Sequence, residues 1–227
     1  MPDAGRVIAG RARGRRLAAP GEGTRPLGDR VKETLFAILE PVLPGATFLD
    51  LFAGSGAAGI EALSRGATRA MFVDRDRAAC AVIEANLRST GLAGPAAIVR
   101  RSDALAYLDG VGGRDGPFDV VVLDPPYDEP GLLDTALQRL GQPGLVAPDG
   151  RVVAKRSRRT TLPASIGLLA SDRERRFGET TLVFYRRVAA PPVDRPADPP
   201  VDRPADQIEP DAGEDSNADG QGDVEED

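Results

Sequence analysis

The sequence predicts an α/β fold built on a mostly parallel, doubly wound sheet. Three observations carry that prediction. The run Phe118–Leu123 is apolar and mostly β-branched, the pattern of a central strand covered on both faces. The run Thr47–Phe52 leads directly into Ala53-Gly54-Ser55-Gly56-Ala57-Ala58-Gly59 and then into a helical pattern, which reads as strand, glycine loop and helix. Apolar strands and helical periodicities alternate through the rest of the chain, as βαβ units do.

The 227 residues suffice for one such domain with a sizeable core. Composition then removes whole classes of chemistry. The chain contains no histidine, which excludes Ser-His-Asp and Cys-His catalysis and any histidine-ligated metal; no metal is expected. Its one cysteine, Cys80, cannot form an internal disulfide. That fits a reducing compartment. Cys80 falls inside a predicted helix, so a packed thiol is expected. No apolar run is long enough to span a membrane and no signal-peptide pattern opens the chain. A cytoplasmic protein is the expectation.

The net charge of −6 hides two regions. Residues 1–188 hold 27 Lys+Arg against 22 Asp+Glu, whereas residues 189–227 hold 2 against 13. The first region is therefore mildly basic, at +5, and the second strongly acidic, at −11. The acidic stretch repeats Pro-Val-Asp-Arg-Pro-Ala-Asp from Pro192 and again from Pro200. Poor in apolar residues, it is expected to be disordered.

Along the chain, Arg6–Ala9 and Arg15–Ala18 flank a Gly/Arg turn and suggest a small hairpin. Arg6, Arg11, Arg13, Arg15 and Arg16 face one nearby acid, Asp3. Such density suits phosphate contact, because the guanidinium fork matches phosphate oxygens. Arg25 and Arg30 join this candidate RNA-contacting set. Thr24–Gly28 is a loop expected to lie near the ligand cleft. Asp29 is the expected N-cap of a helix through Leu39, with Val31, Leu35, Phe36, Ile38 and Leu39 on its apolar face. After the glycine loop, Ile60–Arg65 reads as helix, Ala70–Asp74 as strand, 75–90 as helix with Gly91 as its stop, and Ala96–Arg101 as strand. Ala104–Leu108 and 131–140 read as helices, Arg151–Lys155 as a fifth strand, and Ile166–Ala170 and Thr180–Arg187 as antiparallel edge strands. Arg173, Arg175 and Arg176 fall between those edges. Phe177-Gly178 marks the turn. With Lys155, Arg156, Arg158 and Arg159 they form further basic clusters.

Two places along this pattern suggest chemistry. The strand 118–123 ends in Asp124-Pro125-Pro126-Tyr127. The prolines cannot donate to a ladder and stop the strand. Ligands of open α/β sheets bind at such strand ends. An ionised Asp124 and the Pro125 carbonyl only accept hydrogen bonds, so together they suit a group with two N–H donors, such as the amino group of a base. Tyr127 offers a face for stacking. The tetrapeptide resembles the [DNS]-P-P-[YFW] signature of amino-group methyltransferases that use S-adenosylmethionine.

The second place is the glycine loop. Gly54-x-Gly56-x-x-Gly59 with Asp74 following about 20 residues later is also a dinucleotide fingerprint. An NAD-dependent oxidoreductase is thus a competitor. Against it stand Asp50, which precedes the glycines as in the D-x-F-x-G-x-G pattern of methyltransferases, and the lack of any hydride-transfer site downstream. Asp50, Gly54, Ser55, Gly56, Asp74 and Asp103 form the candidate cofactor set. Asp74 can accept two ribose hydroxyls, and Asp103 either accepts from an adenine amino group or caps the next helix.

Taken together, Arg6-Val-Ile-Ala-Gly10, Asp29–Phe36, Leu49–Gly56, Gly59–Gly66 and Leu123–Tyr127 resemble the RsmD family, bacterial methyltransferases acting on N2 of a guanine in 16S ribosomal RNA. The resemblance covers about residues 5–187. It implies a seven-stranded class I methyltransferase fold that divides into an RNA-binding extension (1–40), a methyltransferase domain (41–188) and the acidic tail (189–227). It implies S-adenosylmethionine as cofactor and 16S RNA or the 30S subunit as partner; a monomer is expected. Asp124, Pro125, Pro126 and Tyr127 become the catalytic set. The chain departs from the family pattern at Leu27, at Lys155, where an acid is common, and at Asp74, in place of a frequent Glu. Adenine N6 or cytosine N4 methylation, or a non-catalytic RNA-binding assembly factor, are the alternative readings.

The charge asymmetry yields a first prediction. If the tail competes with RNA for the basic surface, deleting residues 190–227 tightens RNA binding at low salt in a filter-binding titration. Equal affinities for the two chains would remove that role.

Overall fold

The computed structural model describes residues 2–21, 27–110, 112–126, 129 and 131–189. The acidic tail beyond residue 189, like Thr24–Pro26, lies outside the described residues.

Hydrophobic runs set the sheet. β3 (Thr47–Leu51), β4 (Arg69–Asp74) and β6 (Phe118–Leu123) are buried almost throughout, because helices cover both faces of a parallel centre. With β1 (Asp3–Arg6) and β2 (Arg16–Ala18) forming a separate hairpin, the main sheet continues with β5 (Ala97–Arg101), β7 (Val146–Ser157), β8 (Ser165–Ile166), β9 (Leu169–Phe177) and β10 (Thr180–Arg187). Its order is β5-β4-β3-β6-β7-β10-β9-β8. The first five are parallel, and β10, β9 and β8 run antiparallel to their neighbours. Strand order reverses between β3 and β6, the kind of crevice where such sheets bind ligands. The seven strands expected are present. The two-residue β8 makes an eighth at the edge.

Alternation along each strand builds two cores. Phe48, Phe72, Val120 and Val122 face one side, with α1 (Asp29–Leu39), α2 (Ala57–Ser64), α3 (Arg77–Thr90) and the hairpin packed there. Leu49, Met71, Val121 and Leu123 face the other, under α4 (Ala104–Gly110) and α6 (Leu132–Leu140), with the short α5 (Gly112–Asp115) between those helices in sequence. Among the described residues no helix is long and apolar enough to cross a membrane.

Some boundaries differ from the sequence reading for identifiable reasons. Gly28, not Asp29, is the N-cap of α1; the Asp29 carboxylate instead engages Arg6 at 3.2 Å and Lys32 at 3.7 Å. Ile166–Ala170 is not one strand, because Gly167 turns the chain at φ 55° between β8 and β9. Arg173, Arg175 and Arg176 stand on β9 rather than in a loop. Among the described residues only Leu169 and Ala170 of β9 pair with β8, so its charged remainder is an open edge that resists pairing with another chain, and its lack of apolar alternation hides it in sequence. The first hairpin strand starts and ends three residues earlier than Arg6–Ala9, and the second starts at Arg16 rather than Arg15. Residues 7–15 form the connecting loop, closed by Val7 N–H to Arg15 O at 2.9 Å and Gly14 N–H to Val7 O at 2.8 Å.

That loop is clamped rather than free. Ile8 and Ala9 donate their N–H groups to the Glu61 carboxylate of α2 at 2.7 and 3.0 Å. Ala12 donates to Ser64 Oγ at 2.9 Å, and Ser64 Oγ donates to Ala9 O at 2.6 Å. Gly10 sits at φ 80°, where an added Cβ would lie 1.9 Å from Ser64 O, so only glycine permits this approach. Glu61 is fully buried and balanced by Arg65 at 2.8 Å. Replacing Glu61 with Gln leaves one acceptor oxygen for two N–H donors. Glu61→Gln should therefore lower stability by about 1–3 kcal/mol, read from urea unfolding midpoints; an unchanged midpoint would show that the clamp contributes nothing.

Candidate active site

The site is assembled where β3 and β6 end. Beyond Leu51 the chain turns through Phe52, whose φ of 65° places a non-glycine residue in the left-handed region. Such a conformation costs about 1–3 kcal/mol and persists where surrounding bonds enforce it. Here Ala53 N–H donates to Val73 O at 3.0 Å and Gly56 N–H to Ala53 O at 2.7 Å. Gly56, at φ 76°, is the N-cap of α2. Gly54, at φ 55°, has open space where a Cβ would stand.

Two strand-end carboxylates hold this loop. Asp50 accepts from Gly59 N–H at 2.8 Å. Asp74 accepts from Gly54 N–H through Oδ2 at 2.8 Å and from Asp76 N–H through Oδ1 at 2.9 Å. Each Asp74 oxygen retains a lone pair beyond those bonds, as a carboxylate accepts about four hydrogen bonds. Asp103 accepts through Oδ1 from Leu105 N–H at 2.9 Å and Ala106 N–H at 3.0 Å. It is the cap of α4, one of the two roles read for it.

Asp124 leaves β6 half-buried, with Lys155 Nζ donating to its Oδ1 at 2.6 Å. Burial pushes the Asp124 carboxyl above the usual carboxylate range, and the Lys155 ammonium works against that rise. Pro125 is buried and Pro126 exposed. Asp50, Gly54, Ser55, Asp74, Asp103, Asp124, Pro125 and Pro126 line one cavity of about 710 Å³, within the range of small-molecule sites. Gly56 does not line it; its part is to turn the chain. Tyr127 and Arg25 lie outside the described residues.

Several lining residues carried no signal in sequence. Phe52 looked like the end of a strand. Val31 of α1, and Glu179 beside Thr180, reach the cavity only through the fold, whereas Leu27 and Gly28 line it as expected of a loop near the ligand cleft. Arg75 and Glu129, far apart in sequence, form an ion pair at its rim, Arg75 Nη1 donating to Glu129 Oε2 at 3.3 Å. Lys155, read as part of a basic cluster, is instead a nearly buried partner of Asp124. Arg156 is likewise buried and engages Glu174 at 3.1 Å. The reading of 155–159 as one exposed cluster therefore holds only for Arg158 and Arg159.

The described arginines of the hairpin, α1 and β9 that were expected to contact RNA are exposed. Arg6 pairs with Asp29 and Arg16 with Asp3 at 2.9 Å; Arg11, Arg13, Arg15 and Arg30 are exposed to solvent. On β9, Arg173 and Arg175 stand opposite Phe184 and Leu182. Cross-strand partners share a face, and Phe184 and Leu182 belong to the core under α1 and the hairpin. The hairpin arginines, Arg30, Arg173 and Arg175 thus occur on one face of the sheet. The cavity itself is acidic, with Asp50, Asp74, Asp103, Asp124, Glu129 and Glu179 against Arg75 and Lys155 among its described residues. It suits a ligand carrying positive charge.

Burial drives the Asp50 carboxyl from 3.8 up to about 8, opposed by the Gly59 hydrogen bond and reinforced by the charges of Asp124 and Asp74. The folded protein then keeps a proton that the unfolded chain releases, so this group's contribution to stability falls as pH rises from about 4 to about 8. Asp50→Asn retains an acceptor for Gly59 but does not titrate. Across that window the unfolding free energy of the wild type should decline relative to the variant; parallel curves would refute the proton on Asp50.

Comparison with known proteins agrees with this architecture. Residues 5–186 match the family described as Conserved hypothetical protein 95. The chain is 39% identical to YlbH of Bacillus subtilis (strain 168) over 183 residues, covering 80% of this chain and 98% of that one. It is 38% identical over 185 residues to Ribosomal RNA small subunit methyltransferase D of Escherichia coli (strain K12), covering 81% and 90%. The solved structure of yhhF from Escherichia coli superposes with a TM-score of 0.70 at 37% identity, over 82% of this chain and 98% of that one. Sheet order, glycine loop, Asp-Pro-Pro strand end and these matches lead to one conclusion: the chain belongs to the RsmD family and has its class I methyltransferase fold.

Proposed function

We propose that this protein transfers a methyl group from S-adenosylmethionine to the exocyclic N2 amine of a guanine in 16S ribosomal RNA, acting in the cytoplasm as a monomer on the small subunit or its assembly intermediate. The single observation that carries the reading is the placement of Asp124 and Pro125 in the same cavity as Asp74 and the Gly54 backbone. The printed name of the Escherichia coli relative, a small-subunit ribosomal RNA methyltransferase, supports the substrate class.

The residues present fit that cofactor. Gly54 leaves open space beside its backbone, and α2 begins there with its N–H groups and partial positive charge, suited to a carboxylate. Asp74 retains lone pairs for the two hydroxyls of a ribose. The acidic lining favours a ligand with ammonium and sulfonium charges. When bound, the cofactor supplies an electrophilic methyl group on sulfur, with a neutral thioether as leaving group.

The protein's own part is orientation. A target base must leave its stack to reach the cavity; Pro126 is exposed beside it, and the sequence supplies an aromatic ring next in the chain for stacking. The Asp124 carboxylate and Pro125 carbonyl accept the two amine hydrogens. The nitrogen lone pair, otherwise conjugated with the ring, is thereby aimed into the cavity. As the new C–N bond forms, one amine proton passes to the Asp124 carboxylate and onward to water. Correct placement alone can account for a large share of the rate. Exposed arginines on the hairpin, α1 and β9 supply salt-dependent affinity for the phosphate backbone.

The test is methyl transfer from labelled S-adenosylmethionine to hypomethylated 30S particles, naked 16S RNA and duplex DNA, with nucleoside analysis. N2-methylguanosine in RNA is expected. Label in adenine or cytosine would overturn the target base, and cofactor binding without transfer to any substrate would favour the assembly factor. Asp124→Ala should reduce transfer by about 100-fold or more while cofactor binding persists; near-normal transfer would remove Asp124 from the mechanism.

A further inference from the structure

Lys155 stands at the carboxyl end of β7 beside the carboxyl end of β6. Leu123 pairs with Ala154 in the parallel ladder, so Asp124 and Lys155 are each the next residue along. Their side chains are 19% and 11% exposed, and Nζ lies 2.6 Å from Oδ1. Both line the cavity. A charge-assisted bond of this length fixes the rotation of the carboxylate, which is otherwise free to exchange its two oxygens. It also leaves Oδ2 as the oxygen available to a ligand.

The surroundings make the cation consequential. Asp50 on β3, Glu129 after β6 and Glu179 before β10 line the same cavity as Asp124. Burial disfavours a charged Asp124, and the Lys155 ammonium opposes that rise. Among the described lining residues the cations are Lys155 and Arg75, and Arg75 engages Glu129 at the rim. A protonated Asp124 would present an O–H and would compete with, rather than accept, an amine hydrogen.

We propose that Lys155 is a positioning residue for methyl transfer: it engages one oxygen of Asp124 and leaves the other, with the Pro125 carbonyl, to receive the hydrogens of the target amine. The inference rests on the functional reading above and extends it to a residue outside the Asp-Pro-Pro-Tyr segment. Lys155 acts through Asp124 and forms no bond to the methyl group.

The experiment compares wild type with Lys155→Met, which keeps length without charge, and Lys155→Arg, which keeps charge. Single-turnover transfer is followed from about pH 5.5 to 9 to capture the acid limb, with cofactor affinity measured by calorimetry. Lys155→Met should move the acid limb upward by about 1–3 pH units. Its transfer should be depressed at neutral pH and recover as pH rises, with cofactor affinity retained and Lys155→Arg close to wild type. An acid limb that coincides with wild type in Lys155→Met overturns the proposal, whether or not the rate falls by a constant factor. The ¹³C carboxyl shift of Asp124 gives a reading independent of turnover: its midpoint should rise in Lys155→Met, and equal midpoints overturn the coupling. Should circular dichroism show Lys155→Met unfolded, Lys155→Gln carries the same comparison. A wild type that methylates no nucleic acid overturns the functional reading instead, and the carboxyl shift then decides the Asp124–Lys155 coupling alone.

Discussion

The site depends on the hold that two strand-end aspartates keep on one glycine loop. Asp50 takes the N–H of Gly59, and Asp74 takes the N–H of Gly54. These bonds fix both ends of the turn from β3 into α2 and stabilise the left-handed Phe52 within it. Gly59 has a second constraint, since a Cβ there would meet the Phe72 ring at 2.3 Å. Helix α2 can therefore lie close against β4 only at a residue without a side chain. The cavity is the space that this close approach leaves above the strand ends.

The same helix serves the outside of the molecule. Its first turns shape the cavity, and its last turns carry Glu61 and Ser64, which clamp the arginine-bearing loop. Asn86 of α3 joins the two ends of this arrangement. Its side chain exchanges hydrogen bonds with Ala18 of the hairpin, each 2.9 Å, and donates to Ser55 O in the glycine loop at 2.9 Å. The hairpin is thus tied to the walls of the cavity through two rigid helices rather than through a flexible linker. A base presented by a backbone gripped at the hairpin would arrive in a fixed relation to Asp124, which is what near-attack placement needs.

Legibility in sequence followed the range of the interactions. The central strands could be read because burial on both faces forces a continuous apolar run, and the glycine loop because its φ values demand glycine. The Gly91 cap of α3 follows a local rule too, whereas its Asp76 N-cap, immediately before the helix begins at Arg77, falls inside the helix read over 75–90 and goes unread. What could not be read depends on contacts between distant segments. Glu61 is one acid on a short helix until residues 8 and 9 fold over it. Asn86 lies at an apolar spacing and looks like core, yet its role is polar. Asp29 has the right identity for a cap, but Arg6 and Lys32 compete for its carboxylate. Lys155 sits next to three arginines in sequence, which suggests a surface patch; strand alternation and the register with β6 turn it inward.

The cavity also shows how neighbouring carboxylates acquire different duties. Asp50 and Asp124 lie near the ends of adjacent strands, and the charge of Asp124 bears on Asp50. Two like charges held close in a poorly solvated site cannot both be ionised at low cost, so the environment must favour one. Asp50 is fully enclosed, meets no cation among its described contacts, and has a backbone N–H as partner; its value rises to about 8 and it keeps its proton at neutral pH. Asp124 has the ammonium of Lys155 at 2.6 Å, which draws it toward the charged form despite burial. The neutral member then suits a structural hold on the loop. The charged member suits acceptance of amine hydrogens and, afterwards, of a proton. A neutral Asp50 adds no like charge beside Asp124, so the loop-holding residue assists the one proposed to receive the amine.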